Sequence, residues 1–398
     1  MILLKPDRLV RLFFTTTQPM TFQLTEEQLA VQQAARDFAQ TELLPGVIER
    51  DTTQKFPIEL IQKMGALGLL GMMTDPKYNG GGMDSISYVL AMEEISKVDA
   101  SASVMMSVNN SLVCWGLEKF GNEDQKERYL KRLTTGEVIG AFCLSEPEAG
   151  SDATSQRTTA EDKGDHYLLN GTKNWITNGS SASVYLVMCQ TDASKKHKGI
   201  NCLIVERGQA GFVVGKKEDK MGIRGSDTHS LMFTDVKVDK RNRIGEDGFG
   251  FAFAMTTLNG GRIGIASQAL GIAAGAYELA LAYSKERKAF GHKLSEHQAI
   301  QFKLAEMATK ISAARLLIWQ AATLKDQKKD FVKAAAMAKL YASQIAQDVT
   351  TEAVQIHGGY GYVKEYHVER MMRDAKITQI YEGTSEIQKM VIARELMK

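Results

Sequence analysis

Near the end of the chain, "QIYEGTSEIQ" sets the carboxylate Glu382 between the aromatic Tyr381 and Gly383, just before a run that reads as a last helix starting at Thr384 or Ser385. In water such a glutamate is an ordinary residue of an exposed helix start, the commoner fate of a stretch like this one. Buried beside the aromatic, its charged form is disfavoured and it becomes a stronger base than a solvated carboxylate. Three further segments could serve it. "FCLSEPEAGSDA" is turn-rich, with Pro147 and Gly150, and exposes N–H groups and hydroxyls able to grip a flat polar heteroaromatic; the plain alternative is a linker. In "NWITNG", Trp175 can pack on a π-system and exclude water, although a lone tryptophan is more often core. In "ERKAFG", Arg287 can make paired hydrogen bonds to a pyrophosphate, or simply complement a helix C-terminus.

Other chemistries find no support. There is no GxGxxG after a strand, no GxxxxGK[ST] and no βαβ alternation, so a Rossmann or P-loop enzyme is not expected. "GEDGFGF" and "HGGYGY" lie at element boundaries and read as turns or caps. The seven histidines form no HExxH; His292 and His297 read as neighbours of a helix start, and no metal site is expected. No GxSxG is present. The four cysteines stand apart without a CxxC pair, which fits a reducing compartment and points to a cytoplasmic protein. A net charge of +2, with Lys and Arg scattered, gives no reason to expect nucleic acid as a partner.

At 398 residues, 44% hydrophobic and 24% charged, the chain has the size and composition of a multi-domain globular protein. The first 20 residues, broken by Lys5, Asp7, Arg8 and Arg11, read as a disordered extension or an over-long start before Met20. Their Arg-containing, Thr-rich character also suits a mitochondrial-type presequence. No membrane-spanning stretch is expected. Helical periodicity marks 21–140, where "LTEEQLAVQQAARDFAQTELLP" carries a Thr25/Gln28 capping box and Pro45 as a stop. Residues 141–248 change to short strands and read as a small β-barrel or sandwich; "HYLLNGTKNWITNG" is expected to be a hairpin turning at Asn170-Gly171. From 249 to 398 long, low-charge helices return, as an antiparallel bundle. The fold class is α+β, in the order helical, β, helical.

That order, with "FCLSEPEAGSDA", "ERKAFGHKLSEHQAIQF" and "QIYEGTSEIQKMVIARELM", closely resembles the flavin-dependent acyl-CoA dehydrogenases from about Thr21 to Lys398, and most closely the short-chain, butyryl-CoA type. The resemblance implies FAD as cofactor, an acyl-CoA substrate, an electron-transferring flavoprotein as acceptor, a homotetramer built as a dimer of dimers, and a place in fatty-acid β-oxidation. It makes Glu382 the base that takes the α-proton while the β-hydrogen leaves as hydride to the flavin. It sets Phe142, Leu144, Ser145, Trp175, Thr177, Thr384 and Glu386 against the flavin, and Arg287, Phe290 and Gln298 on its ADP half. Gln355, Gly358 and Gly359 of "QIHGG" would reach the same cofactor from a neighbouring subunit. Ser151, Asn259, Arg262, Tyr381, Gly383 and Arg394 would meet the acyl-CoA.

Some relatives carry their base just before the arginine of "LNGGRIG"; here Gly261 stands there, so Glu382 has no rival. Two residues depart from the family pattern. Asn259 replaces a common aspartate, and His357 stands where most members have an apolar residue, so its ring is expected to meet the cofactor differently. Within the same fold, a branched-chain or dicarboxylyl substrate and an acyl-CoA oxidase are the alternatives. A flavin- or CoA-binding protein without turnover, and a helical scaffold without cofactor, are alternatives of another class.

Overall fold

The computed structural model describes residues 23–398; the extension expected over 1–20 lies outside them. The first helical stretch contains α1 (Glu26–Phe38), α2 (Val47–Thr53), α3 (Ile58–Ala66), α4 (Ser85–Ser96), α5 (Ala100–Ser107), α6 (Trp115–Phe120) and α7 (Glu123–Thr134). The capping box forms as expected. Thr25 Oγ1 accepts from the Gln28 N–H at 3.2 Å, and Gln28 Oε1 accepts from the Thr25 N–H at 3.0 Å. After a π-helical turn over Ala39–Leu43 the chain breaks at Pro45 and Gly46.

The β region contains β1 (Gly140–Cys143), β2 (Thr159–Asp162), β3 (His166–Thr177), β4 (Val184–Gln190), β5 (Ile200–Glu206), β6 (Phe212–Lys217), β7 (Thr228–Asp239) and β8 (Arg243–Ile244). They follow the order β6-β7-β3-β2-β4-β5-β8, with β1 parallel to β4. Between β2 and β4 the sheet is held by one pairing, Thr159 with Gln190, so its two halves fold face to face. Tyr167, Leu169, Phe233 and Val238 from one half enclose a core with Tyr185, Val187 and Val205 from the other. The opposite face of β4 and β5 (Leu186, Met188, Cys202, Ile204) packs on Leu112, Leu130 and Phe253 of the helices. Covered on both faces, these strands are apolar without alternation.

The hairpin expected at Asn170-Gly171 does not form. β3 runs through it as one strand of 12 residues, and the Asn-Gly pair sits at a register shift against β7. Asn170 exchanges two hydrogen bonds with Asp235, at 3.0 and 2.9 Å, and Gly171 takes φ +144° with Thr158 packed where a Cβ would stand. The residue types that make a tight turn serve a β-bulge here.

The second helical stretch contains α8 (Gly250–Glu286), α9 (Gln298–Asp326), α10 (Val332–His357), α11 (His367–Ile377) and α12 (Ser385–Leu396). α8 has the length and apolar composition of a membrane span, but 72% of that window is buried inside the protein, so it is the central core helix. Gly271 lets it touch α4 backbone to backbone, since a Cβ there would stand 2.4 Å from the Glu93 carbonyl. Residues of both helical stretches, such as Ala35, Met92, Ile272, Ala314 and Ala346, share one hydrophobic core.

Candidate active site

α11 ends at Ile377, and α12 starts after the N-cap Thr384, whose hydroxyl accepts from the Ile387 N–H. Between them the backbone turns left-handed twice, at Glu382 (φ +51°) and Gly383 (φ +91°). For glutamate this conformation costs on the order of 1 kcal/mol, so surrounding contacts must impose it. Gln388 Nε2 donates to the carbonyls of Glu382 (3.2 Å) and Gly383 (2.9 Å), and Lys339 Nζ donates to the Gly383 carbonyl (2.7 Å). The Tyr381 hydroxyl donates to Gln268 Oε1 on α8. Among the described residues neither the Glu382 nor the Gly383 N–H finds an acceptor.

The turn aims the Glu382 carboxyl at α8. A Cβ on Gly261 would stand 2.2 Å from Glu382 Oε2, so glycine leaves the room in which the carboxylate lies. Oε2 is enclosed and has no hydrogen-bond partner. Burial pushes the carboxyl up to about 7, against the lowering fields of Lys339 and Arg262. Arg262 is itself buried and lowered by desolvation; one of its terminal nitrogens donates to Asn259 Oδ1 at 2.6 Å, and its Nε has no partner. Asn259 therefore spends its acceptor on holding Arg262. Such a carboxylate, poised near neutrality and unpaired, is what proton abstraction at neutral pH calls for.

The other expected residues fall into two groups. Phe142 stacks on Phe253 (centroids 6.3 Å apart), and Leu144 packs in the same cluster. The Ser145 carbonyl accepts from the Asn174 N–H (2.9 Å), which ties this loop to Trp175 and Thr177 on β3. Trp175 is 62% exposed at φ +61°. The loop is anchored from inside by the buried Lys173, whose Nζ donates to the Leu144 carbonyl (3.1 Å), Glu146 Oε1 (2.7 Å) and Gln156 Oε1 (3.0 Å). Ser151, Glu386 and Arg394 are exposed, and Arg394 pairs with Glu395.

The second group lies at the far end of α8. Between Gly261 and Arg287 the helix rises about 39 Å at 1.5 Å per residue. Arg287 makes no ion pair among the described residues and lies over the Tyr360 ring (5.4 Å), directly after Gly358 and Gly359. Arg287 and the "QIHGG" segment, expected on different subunits, are thus neighbours in one chain. Phe290 is 95% exposed, Gln298 and Gln355 are exposed, and nothing stands within 4 Å of a Cβ built on Gly358 or Gly359. His357 does not reach outward. It is buried, stacks on Tyr283 (4.3 Å) and shares a hydrogen bond through Nδ1 with the Ala353 carbonyl (2.8 Å).

An indole and a phenyl ring left in solvent, both on left-handed backbone, together with a cation that has no counter-charge among the described residues and an open glycine cradle, fit a flat, apolar-faced cofactor carrying phosphates. No cluster of three potential metal ligands occurs among the described residues.

Models of the acyl-CoA dehydrogenase N-terminal, middle and C-terminal domains match residues 25–137, 141–236 and 248–397. The chain belongs to the acyl-CoA dehydrogenase family. Among its relatives is the short-chain specific acyl-CoA dehydrogenase of Clostridium acetobutylicum, 49% identical over 379 residues, covering 95% of this chain and all of that one. Butyryl-CoA dehydrogenase from Megasphaera elsdenii superposes with a TM-score of 0.94 at 50% identity, over 95% of this chain and all of that one. The same values hold for a chain from a structure of the electron transferring flavoprotein of Acidaminococcus fermentans, concerned with flavin-based electron bifurcation.

Sequence reasoning missed Lys339, Gln388, Gln268, Lys173 and Glu146. Lys339 had a signal: it shares a helical face with Ala335, Ala342 and Ala346, all core residues, where a solvated lysine does not belong.

Proposed function

We propose that the protein catalyses the FAD-dependent α,β-dehydrogenation of a short-chain acyl-CoA such as butyryl-CoA to the trans-2-enoyl-CoA, in fatty-acid β-oxidation. The observation that carries this is the enclosed, partnerless Glu382 carboxyl held near neutral pKa beside Gly261. As the carboxylate, Glu382 takes the α-proton. The unengaged N–H groups of Glu382 and Gly383 are the donors offered to the thioester oxygen, whose negative charge grows as the proton leaves. Bound FAD supplies the hydride acceptor for the β-hydrogen. Phe142, Leu144, Ser145, Trp175, Thr177, Thr384 and Glu386 are the residues placed to hold its ring system and keep water out, while Ser151, Asn259, Arg262, Tyr381, Gly383 and Arg394 face the acyl-CoA. The names of the relatives favour the short chain and an electron-transferring flavoprotein as acceptor.

The distance along α8 supports a shared cofactor. One chain supplies the Glu382 end, and Arg287, Phe290, Gln298, Gln355, Gly358 and Gly359 of a second copy supply the pyrophosphate end, in a dimer of dimers. We keep 21–140, 141–248 and 249–398 as the proposed domain division. Four free, buried cysteines favour a reducing compartment, and we propose a cytoplasmic location.

Turnover of butyryl-CoA, isobutyryl-CoA and glutaryl-CoA, with electron-transferring flavoprotein or oxygen as acceptor, tests the reading. The expected result is crotonyl-CoA from butyryl-CoA with the flavoprotein. Preference for a branched or dicarboxylyl thioester, or for oxygen, would refute it.

A further inference from the structure

Behind the catalytic turn stands a cation whose role the reaction described so far does not assign. Lys339 lies in the N-terminal half of α10 and is fully buried, yet its ammonium makes no ion pair among the described residues. It donates to the carbonyl of Gly383, the residue after the base (2.7 Å). A buried lysine is costly unless something in the site needs its charge or its donor. Here both have a use. Lys339 and Gln388 pin the carbonyls of two consecutive left-handed residues, so the direction of the Glu382 side chain depends on them.

Resting on the reading of Glu382 as the α-proton base, we propose that Lys339 is a positioning residue of the dehydrogenation. Its donor fixes the Glu382–Gly383 turn, and its charge sets the pH range over which the carboxyl can take a proton. The groups that face it are few: Glu382 on the turn and Glu386 on α12 favour its charged form, and Arg262 on α8 opposes it. Burial brings Lys339 down to about 7 and Glu382 up to about 7, so the two titrate in the same range and each moves the other. Lys339 is the stronger of the two fields that lower Glu382, ahead of Arg262; without it burial goes less opposed and the carboxyl rises further.

Lys339→Met removes donor and charge, and Lys339→Gln keeps an N–H donor without the charge. The protonated-carboxyl infrared band of Glu382, identified by its absence in Glu382→Gln, is titrated in the FAD-loaded, substrate-free protein. The pH profiles of kcat and kcat/KM for butyryl-CoA are measured beside it. In both variants the infrared midpoint and the kinetic profile should move upward by about one pH unit, a tenfold change in the acid–base equilibrium. In Lys339→Met kcat should fall about tenfold with KM little changed; Lys339→Gln should recover part of kcat while keeping the shifted midpoint. Folded, FAD-binding variants with the wild-type midpoint and profile would overturn the proposal. Should Lys339→Met not fold, the midpoint of Lys339→Gln decides alone. A wild type that does not oxidise butyryl-CoA would strike the functional reading, and the infrared midpoint would still judge Lys339.

Discussion

Replacing Glu382 by glutamine should silence the protein and stabilise it. The carboxyl rises from 4.5 to about 7 because burial disfavours its charge. At about 1.4 kcal/mol per tenfold change, folding holds the carboxylate at a disadvantage of about 3 kcal/mol. The native pKa lies above the unfolded one. Below about pH 4.5 both states are protonated and the residue costs nothing; as pH climbs towards 7 the unfolded chain ionises first and the fold loses stability; above 7 the penalty is complete. Glutamine keeps the shape and cannot ionise. The attraction of Lys339 and Arg262 is already contained in that net penalty, so the expected gain is about 3 kcal/mol at about pH 8, falling to about 1 kcal/mol or less at about pH 5. The assay is denaturant unfolding of both proteins at equal protein and FAD concentrations at each pH, since bound cofactor shifts apparent stability by mass action. A variant no more stable than wild type at pH 8, or one whose gain is independent of pH, would refute the claim that burial of charge sets the Glu382 pKa.

Three further expectations rest on separate contacts. Gly261→Ala places a methyl 2.2 Å from Glu382 Oε2 and 2.8 Å from Leu112 Cδ2, so the carboxylate must swing aside; kcat/KM should fall about 100-fold in a folded protein, measured by steady-state kinetics with circular dichroism as control. Lys173→Met strands the Glu146 carboxylate, although the Arg157 and Thr158 N–H groups still reach it at 2.6 and 3.1 Å; unfolding should show a loss of about 3 kcal/mol, partly restored by adding Glu146→Gln. The Arg287 side chain makes no ion pair among the described residues and lies over the Tyr360 ring, so with Arg287→Ala the thermal stability of the apoprotein should hold while FAD affinity, followed by flavin fluorescence, weakens about tenfold or more.

The sequence was most legible where local chemistry and long-range packing agree. Thr25 and Gln28 are close in the chain and satisfy each other, so their capping box could be read directly. Glu382 was legible as the base through the family motif that it sits in, since an aromatic–Glu–Gly step before a helix is by itself more often an exposed helix start; the enclosure of its carboxyl came only with α8 and α10 packed around it. Asn170-Gly171 shows the opposite case. Its turn chemistry is genuine, but β7 and β2 captured both flanks and made the pair a bulge. Lys173 with Glu146, and Lys339 with the Gly383 carbonyl, join residues 27 and 44 positions apart. No local pattern specifies such pairings, and only the periodicity around Lys339 hinted that its charge was buried.

The most direct test of the central claim is an anaerobic titration of the FAD-loaded protein with butyryl-CoA, following the flavin absorbance of wild type and Glu382→Gln. The account predicts bleaching of the wild type, and a variant that binds the thioester yet stays oxidised, with reduction slowed by about a factor of 10⁴. A variant that bleaches at the wild-type rate would contradict it.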